Sequence, residues 1–198
     1  MIQRVFDACW NAGFDTYVLT DDARIADLIP KNNCYVDVKD YQNGTERCSG
    51  AVRSKKFDEY DQFINVQGDM PDVTTEILLQ AVLSLNSYDV GTVYTEMPKS
   101  QQDDPNSVKM IRGDDQALWF GRGITGYGDW HLGVYSYTRE ALYNYLDLRV
   151  YPEENIERLE QLRWLKNGWQ IGCYSVQFKG VEINSPEDVV TWHKIKSH

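Results

Sequence analysis

The chain is poor in positive charge, in cysteine and in long apolar runs, and each shortage removes a class of function. Its 198 residues hold 20 Lys and Arg against 30 Asp and Glu, a formal net charge of -10. A protein that grips a polynucleotide needs a basic face, and none is visible, so no nucleic-acid partner is expected. A free nucleotide is a different matter, because backbone amides, one or two basic side chains and a metal ion suffice to hold it. No apolar run approaches the ~20 residues that span a bilayer. The N-terminus lacks the charged, apolar and small-residue order of a signal peptide. A cytoplasmic protein with no membrane partner is the expectation. Cys9, Cys34, Cys48 and Cys173 form no CxxC pair, so neither a zinc site nor a redox motif is indicated. They read as reduced thiols in or near the core.

What is present is enough apolar material, 42% of residues, for one α/β domain over residues 1–198. Ile2, Val5, Phe6 and Cys9 recur at helical spacing and Gly13 follows as a stop. Residues 16–20 read as a strand, and Asp21 and Asp22 cap a helix that Pro30 ends. Residues 34–38 form a second strand, and residues 42–47 read as a polar loop. A strand over residues 63–66 runs into Gln67-Gly68-Asp69, and a helix follows from near residue 72. Further strands are expected over 90–94, 108–112, 118–121, 132–137 and 171–178. Helices are expected over 138–146, from Pro152 to Asn167-Gly168, and after the Ser185-Pro186-Glu187-Asp188 capping box. The early alternation of strand and helix implies a mostly parallel sheet covered on both faces.

Open α/β sheets collect ligands beyond the carboxyl ends of their strands. Asp69 stands there, one glycine after an apolar strand, as a hard oxygen ligand suited to Mg²⁺ with a nucleoside triphosphate. The competing reading makes Asp69 and Asp72 caps of the next helix. Gln67 is a second amide at that strand end, or a loop-stabilising one. Thr20 and Asp21 end the first strand. Gly44, Thr45 and Arg47 offer amides and a guanidinium to a nucleotide, or make an Asn-Gly turn beside a solvated arginine. His131 and Tyr135 flank a strand start where a sugar hydroxyl or carboxylate would find partners. Glu160 and Gln161 decorate a helix whose i,i+4 pairs, Glu154 with Arg158 and Glu157 with Gln161, favour a solvated face; turned inward, they would bind a polyol.

The order of these segments resembles the 3-deoxy-manno-octulosonate (Kdo) cytidylyltransferases, the CMP-Kdo synthetases. The matching blocks are VLTDDARIAD, NGTERCSGA, INVQGDMP, PNSVKMI, ALWFGR, HLGVYSYTREAL, LEQLRWLKNG and INSPEDV. They occur in the family's order along nearly the whole chain. The resemblance implies a three-layer, Rossmann-like nucleotide-diphospho-sugar-transferase fold with a mixed, mostly parallel sheet, helices on both faces and the first strand missing. It implies CMP transfer from CTP to Kdo with release of pyrophosphate, dependent on Mg²⁺, by a homodimer. It places Mg²⁺ on Asp69 and on Asn184, where the family usually has aspartate. Gln67, His131, Tyr135, Glu160 and Gln161 fall to the sugar, Arg122 to its charged end, and Thr20, Asp21, Gly44, Thr45 and Arg47 to the nucleotide. Two alternatives stay open: a sugar- or nucleotide-binding remnant without catalysis, and a CMP-sialic-acid-synthetase-like enzyme. MIQRVF matches the helix after the family's opening strand and Gly-containing loop, roughly 20 residues. Without that central strand the expectation is a gap of ~9.6 Å, two inter-strand spacings, bordered by unpaired backbone.

Overall fold

The computed structural model describes residues 1–181, 183 and 186–196. The amphipathic start folds as α1 (Ile2–Asn11), which buries Val5, Phe6 and Cys9. Gly13, at φ +88°, then turns the chain. Strand β1 (Val18–Thr20) is followed by the short helix α2 (Ala23–Ala26), capped by the Asp22 side chain. Strand β2 (Cys34–Val36) pairs in parallel with β1, Val18 opposite Cys34.

Residues 42–47 are not the loop that their polarity suggests. Helix α3 (Gly44–Arg53) begins there, with Asn43 as its cap and Asn43 Oδ1 accepting from the Glu46 amide at 2.9 Å. Strand β3 (Gln62–Val66) leads through Gln67-Gly68-Asp69 to α4 (Thr75–Leu83). The cap of α4 is Thr74, not Asp69 or Asp72. Then come β4 (Val90–Thr95), β5 (Lys109–Gly113), β6 (Gln116–Gly121), β7 (Asp129–Thr138) and α5 (Arg139–Asn144).

The helix expected to run on from Pro152 is two helices, α6 (Pro152–Glu157) and α7 (Gln161–Lys166). Arg158 sits between them in the left-handed region, φ 55°, and the Leu159 amide closes back onto the Glu154 carbonyl at 3.2 Å. This is a Schellman stop built on arginine in place of the usual glycine. The break leaves Ile156 exposed and turns the following Glu160 and Gln161 inward. Strand β8 (Ile171–Ser175) and helix α8 (Pro186–Lys196) complete the order. Ser185 of the expected capping box lies outside the described residues.

The larger sheet has the order β3-β7-β4-β8-β6-β5. Strands β3, β4, β8 and β5 run one way and β7 and β6 the other, so the sheet is mixed. Helices α1 and α4 cover one face, packing Val5, Cys9, Ile77, Leu78 and Ala81 against Val93, Leu132 and Val134. Helices α3, α5 and α7 cover the other, setting Val52, Leu142, Leu162 and Trp164 against Val90, Tyr135, Tyr137 and Ile171. Trp130, Tyr135, Tyr137 and Tyr145 are core. Cys9 and Cys173 are buried, Cys34 and Cys48 half-buried, and all four are free thiols.

The β1–β2 pair stands apart from the larger sheet. Strands β1 and β2 form a sheet of their own, and neither is hydrogen-bonded to the six-stranded sheet among the described residues. No described helix is long and apolar enough to cross a membrane.

Candidate active site

The two sheets face each other across one cavity of about 1110 Å³. Strand β1, the N-terminal turn of α3, the end of β3, the bulged middle of β7 and the α6–α7 junction all contribute to its wall. The bulge arises where β4–β7 pairing slips between Thr92 and Val93, leaving Gly133 and Val134 without β4 partners. A side chain at the first of these would press on Gln67. A Cβ at Gly133 would come within 3.3 Å of the Gln67 side chain, which lies across it.

Asp69 lies at the end of β3 on the cavity wall. Burial pushes its carboxyl above the usual range, and its own backbone N–H only partly offsets this. No cation pairs with it among the described residues. A solitary, half-desolvated carboxylate facing a large cavity fits Mg²⁺, which takes one or two protein carboxylates and fills its shell with water and phosphate oxygens. The described residues hold no cluster of three or more metal-ligating side chains. Asn184, the expected second ligand, lies outside the described residues.

The far wall carries unsatisfied polar atoms. Glu160 Oε1, both amide atoms of Gln161 and Asn65 Nδ2 are buried without a partner among the described residues. Glu160 Oε2 accepts from the Thr45 amide at 3.0 Å. Burial raises the Glu160 carboxyl as well. Beneath them Arg163 bridges Glu154 and Glu46, with Nη2 at 2.5 Å and 2.8 Å. That network holds the α6–α7 junction against α3 and so fixes the orphaned row. The i,i+4 pairing expected for Glu154 is replaced by this bridge. Glu157 instead accepts from the Arg122 amide at 2.8 Å.

Arginines supply the rim. Arg122 is anchored through Nε to the Glu157 carbonyl and Nη1 to the Asn106 carbonyl, at 3.2 and 2.6 Å. Arg47 is tied to the Asp37 carbonyl and to Asp21 Oδ2, at 3.0 and 2.9 Å. Arg158 makes no ion pair among the described residues and lines the cavity.

His131 is buried on the cavity wall, edge-on to Phe120 with ring centroids 4.9 Å apart. Burial first, and the nearby Arg122 charge second, push it down to about 3.

Of the residues singled out from sequence, Gln67, Asp69, Gly44, Arg47, Arg122, His131, Tyr135, Glu160 and Gln161 line this cavity. Thr20, Asp21 and Thr45 do not. Thr20 Oγ1 accepts from the Asp22 amide, Asp21 pairs with Arg47, and the Thr45 hydroxyl is buried against Tyr137. Sequence reading missed Asn65 and Arg158. The signal for Asn65 was a polar residue in the apolar strand QFINV, two positions before Gln67. Nothing local marked Arg158, because a left-handed arginine has no composition signature.

A family model of cytidylyltransferases matches residues 1–171. The chain belongs to the cytidylyltransferase family. This cytidylyltransferase is 33% identical to an 8-amino-3,8-dideoxy-manno-octulosonate cytidylyltransferase of Shewanella halifaxensis, over 96% of this chain and 84% of that one. A relative of the same description from Shewanella woodyi is 32% identical over the same shares. Among solved structures, CMP:2-keto-3-deoxy-manno-octonic acid synthetase complexed with CTP superposes with a TM-score of 0.88 at 24% identity, covering 99% of this chain and 87% of that one. A 4-diphosphocytidyl-2C-methyl-D-erythritol synthase from Anaerococcus prevotii superposes at 0.65 with 11% identity, covering 100% of this chain and 89% of that one. The cytidylyltransferase shares the fold of both.

Proposed function

We propose that this cytidylyltransferase transfers CMP from CTP to the anomeric hydroxyl of a Kdo-like acidic sugar. The sugar oxygen attacks the α-phosphorus, the bond to the β-phosphate oxygen breaks, and pyrophosphate leaves. The observation that carries the acceptor class is the row of buried, unpartnered atoms on Asn65, Glu160 and Gln161. Sugar hydroxyls both donate and accept, and that row offers donors and acceptors already stripped of water. In this reading Arg122, anchored at the rim, would meet the sugar carboxylate, and Gly44 and Arg47, also on the cavity wall, would serve the nucleotide. Mg²⁺ held by Asp69 would neutralise the phosphates. The chain's own work is positioning: rigid donors, anchored guanidiniums and a closed polyol wall. A homodimer belongs to the same reading.

The names of the relatives raise a second reading of the acceptor, with an amino group in place of the terminal hydroxyl. Glu160 Oε1 is the observation that favours it, because a buried lone carboxylate oxygen gains more from an ammonium than from a hydroxyl.

Pyrophosphate release with CTP and Mg²⁺ tests both, run with Kdo, 8-amino-3,8-dideoxy-manno-octulosonate and a sialic acid in turn. Release is expected with an octulosonate, and Asp69→Ala is expected to lower it at least about a hundredfold. Folded protein that releases none with any sugar, or release that survives Asp69→Ala, overturns the reading. Since burial raises the Asp69 carboxyl, protonation competes with the metal, and apparent Mg²⁺ affinity should weaken as pH falls through that raised value.

A further inference from the structure

Thr92 sits on β4 directly beneath the cavity wall, fully buried. Its hydroxyl has two neighbours. Oγ1 lies 2.8 Å from the Val134 carbonyl oxygen and 2.9 Å from His131 Nε2. A carbonyl cannot donate, so the single hydroxyl proton belongs to the Val134 contact. The bulge explains why that carbonyl wants it, since Val134 has no partner on β4. Oγ1 is then left with lone pairs only on its other side, and His131 Nε2 must donate to it. No other hydrogen bond to this ring is present among the described residues. The ring is also in the environment least able to carry charge: wholly buried, edge-on to Phe120 and near Arg122.

We infer that Thr92 is a positioning residue that locks His131 as the neutral Nε2–H tautomer and so presents Nδ1 to the cavity as a bare hydrogen-bond acceptor for a sugar hydroxyl. The consequence is chemical. His131 accepts a hydrogen bond and orients the sugar, and its burial beside the Arg122 charge works against its taking up a proton. Without Thr92 the imidazole would be free to carry its proton on Nδ1, turning a donor towards the sugar.

The lock rests on geometry alone, while the sugar contact rests on the proposed octulosonate acceptor, and the test separates them. Protein labelled with ¹⁵N-histidine is examined at neutral pH by long-range ¹H–¹⁵N correlation, which distinguishes the two tautomers. Wild type should show His131 protonated on Nε2, and adding Kdo or its 8-amino analogue should shift the Nδ1 resonance. Thr92→Val should mix or invert the tautomer and raise the sugar KM on the order of tenfold, with the CTP KM within about twofold. Thr92→Ser, which keeps the hydroxyl, should restore both. An Nδ1–H tautomer in wild type overturns the lock without any variant, as does a folded Thr92→Val protein with unchanged tautomer. An unmoved Nδ1 resonance with bound sugar, or a sugar KM indifferent to Thr92→Val, overturns the contact. If wild type turns over no sugar, the acceptor reading fails, and the tautomer measurement still decides the lock.

Discussion

Arg163 shows how one residue can be expensive to remove although its worth as a pair is modest. Its side chain is 3% exposed, it is bidentate to Glu154, shares Nη2 with Glu46, and lies 4.3 Å over the Tyr145 ring. Burying two carboxylates and a guanidinium together roughly balances desolvation against attraction. Removing the cation alone leaves two carboxylates buried and facing each other. Arg163→Met should therefore lower stability by about 3–5 kcal/mol in urea unfolding. The further change Glu154→Gln should recover part of that loss, because it removes one orphaned charge. A loss under about 1 kcal/mol for the single change would mean that the three groups are solvated in solution. The same network positions the unpartnered Glu160 and Gln161 oxygens, so a shortfall in stability should appear also as a rise in sugar KM.

At the scale of elements, the α6–α7 break is where the sequence misled and where the site was made. The apolar spacing of Leu159, Leu162 and Leu165 continues across residue 158 as if one helix ran through, and i,i+4 charges supported it. Tertiary structure overrides both: the chain turns at Arg158 to drive Glu160 and Gln161 under the cavity. A left-handed arginine costs about 1–2 kcal/mol relative to the right-handed region, a cost glycine avoids. Arg158→Gly should raise stability by about 0.5–1 kcal/mol while raising the KM of CTP or the sugar, since a rim cation is lost. Stabilisation with unchanged kinetics would remove Arg158 from the binding rim. Other elements were legible for plain reasons. Helix α1 declared itself by a four-residue apolar stripe, and Asp69 by its place after an apolar strand and a glycine. Helix α3 was hidden because its first turn, Gly44-Thr45-Glu46, is polar, and its cap Asn43 reads equally as a turn residue. Thr92 was invisible, because a threonine in the strand VGTVYT looks like any β-branched residue until the bulge opposite it is known.

The whole molecule is held by apolar clusters of unequal size. Two large ones lie on the faces of the six-stranded sheet. The third, Phe6, Val18 and Ile29, is a satellite, and the β1–β2 pair rests on it. Strand β4 has hydrogen-bonded neighbours on both sides, β7 and β8, and is buried throughout. Among the described residues strand β1 bonds only to β2, and its residues Val18 and Leu19 line the cavity, as does β3 opposite. Local opening of β1–β2 exposes little apolar surface and need not disturb the large sheet, so its free energy should fall well below the global value. Amide exchange should then be slowest in β4 and β7 and at least about a hundredfold faster in β1 and β2. A nucleotide that reaches from the Asp69 side to Arg47 would bind only the closed arrangement, because the Arg47–Asp21 pair at 2.9 Å joins α3 to the end of β1. Binding of that kind stabilises by mass action, so CTP with Mg²⁺ should slow exchange in β1 and β2 more than in β4. Uniform exchange across both sheets would mean that the small sheet opens only with the rest of the molecule. Slowing confined to the large sheet would mean that the nucleotide does not span the cavity.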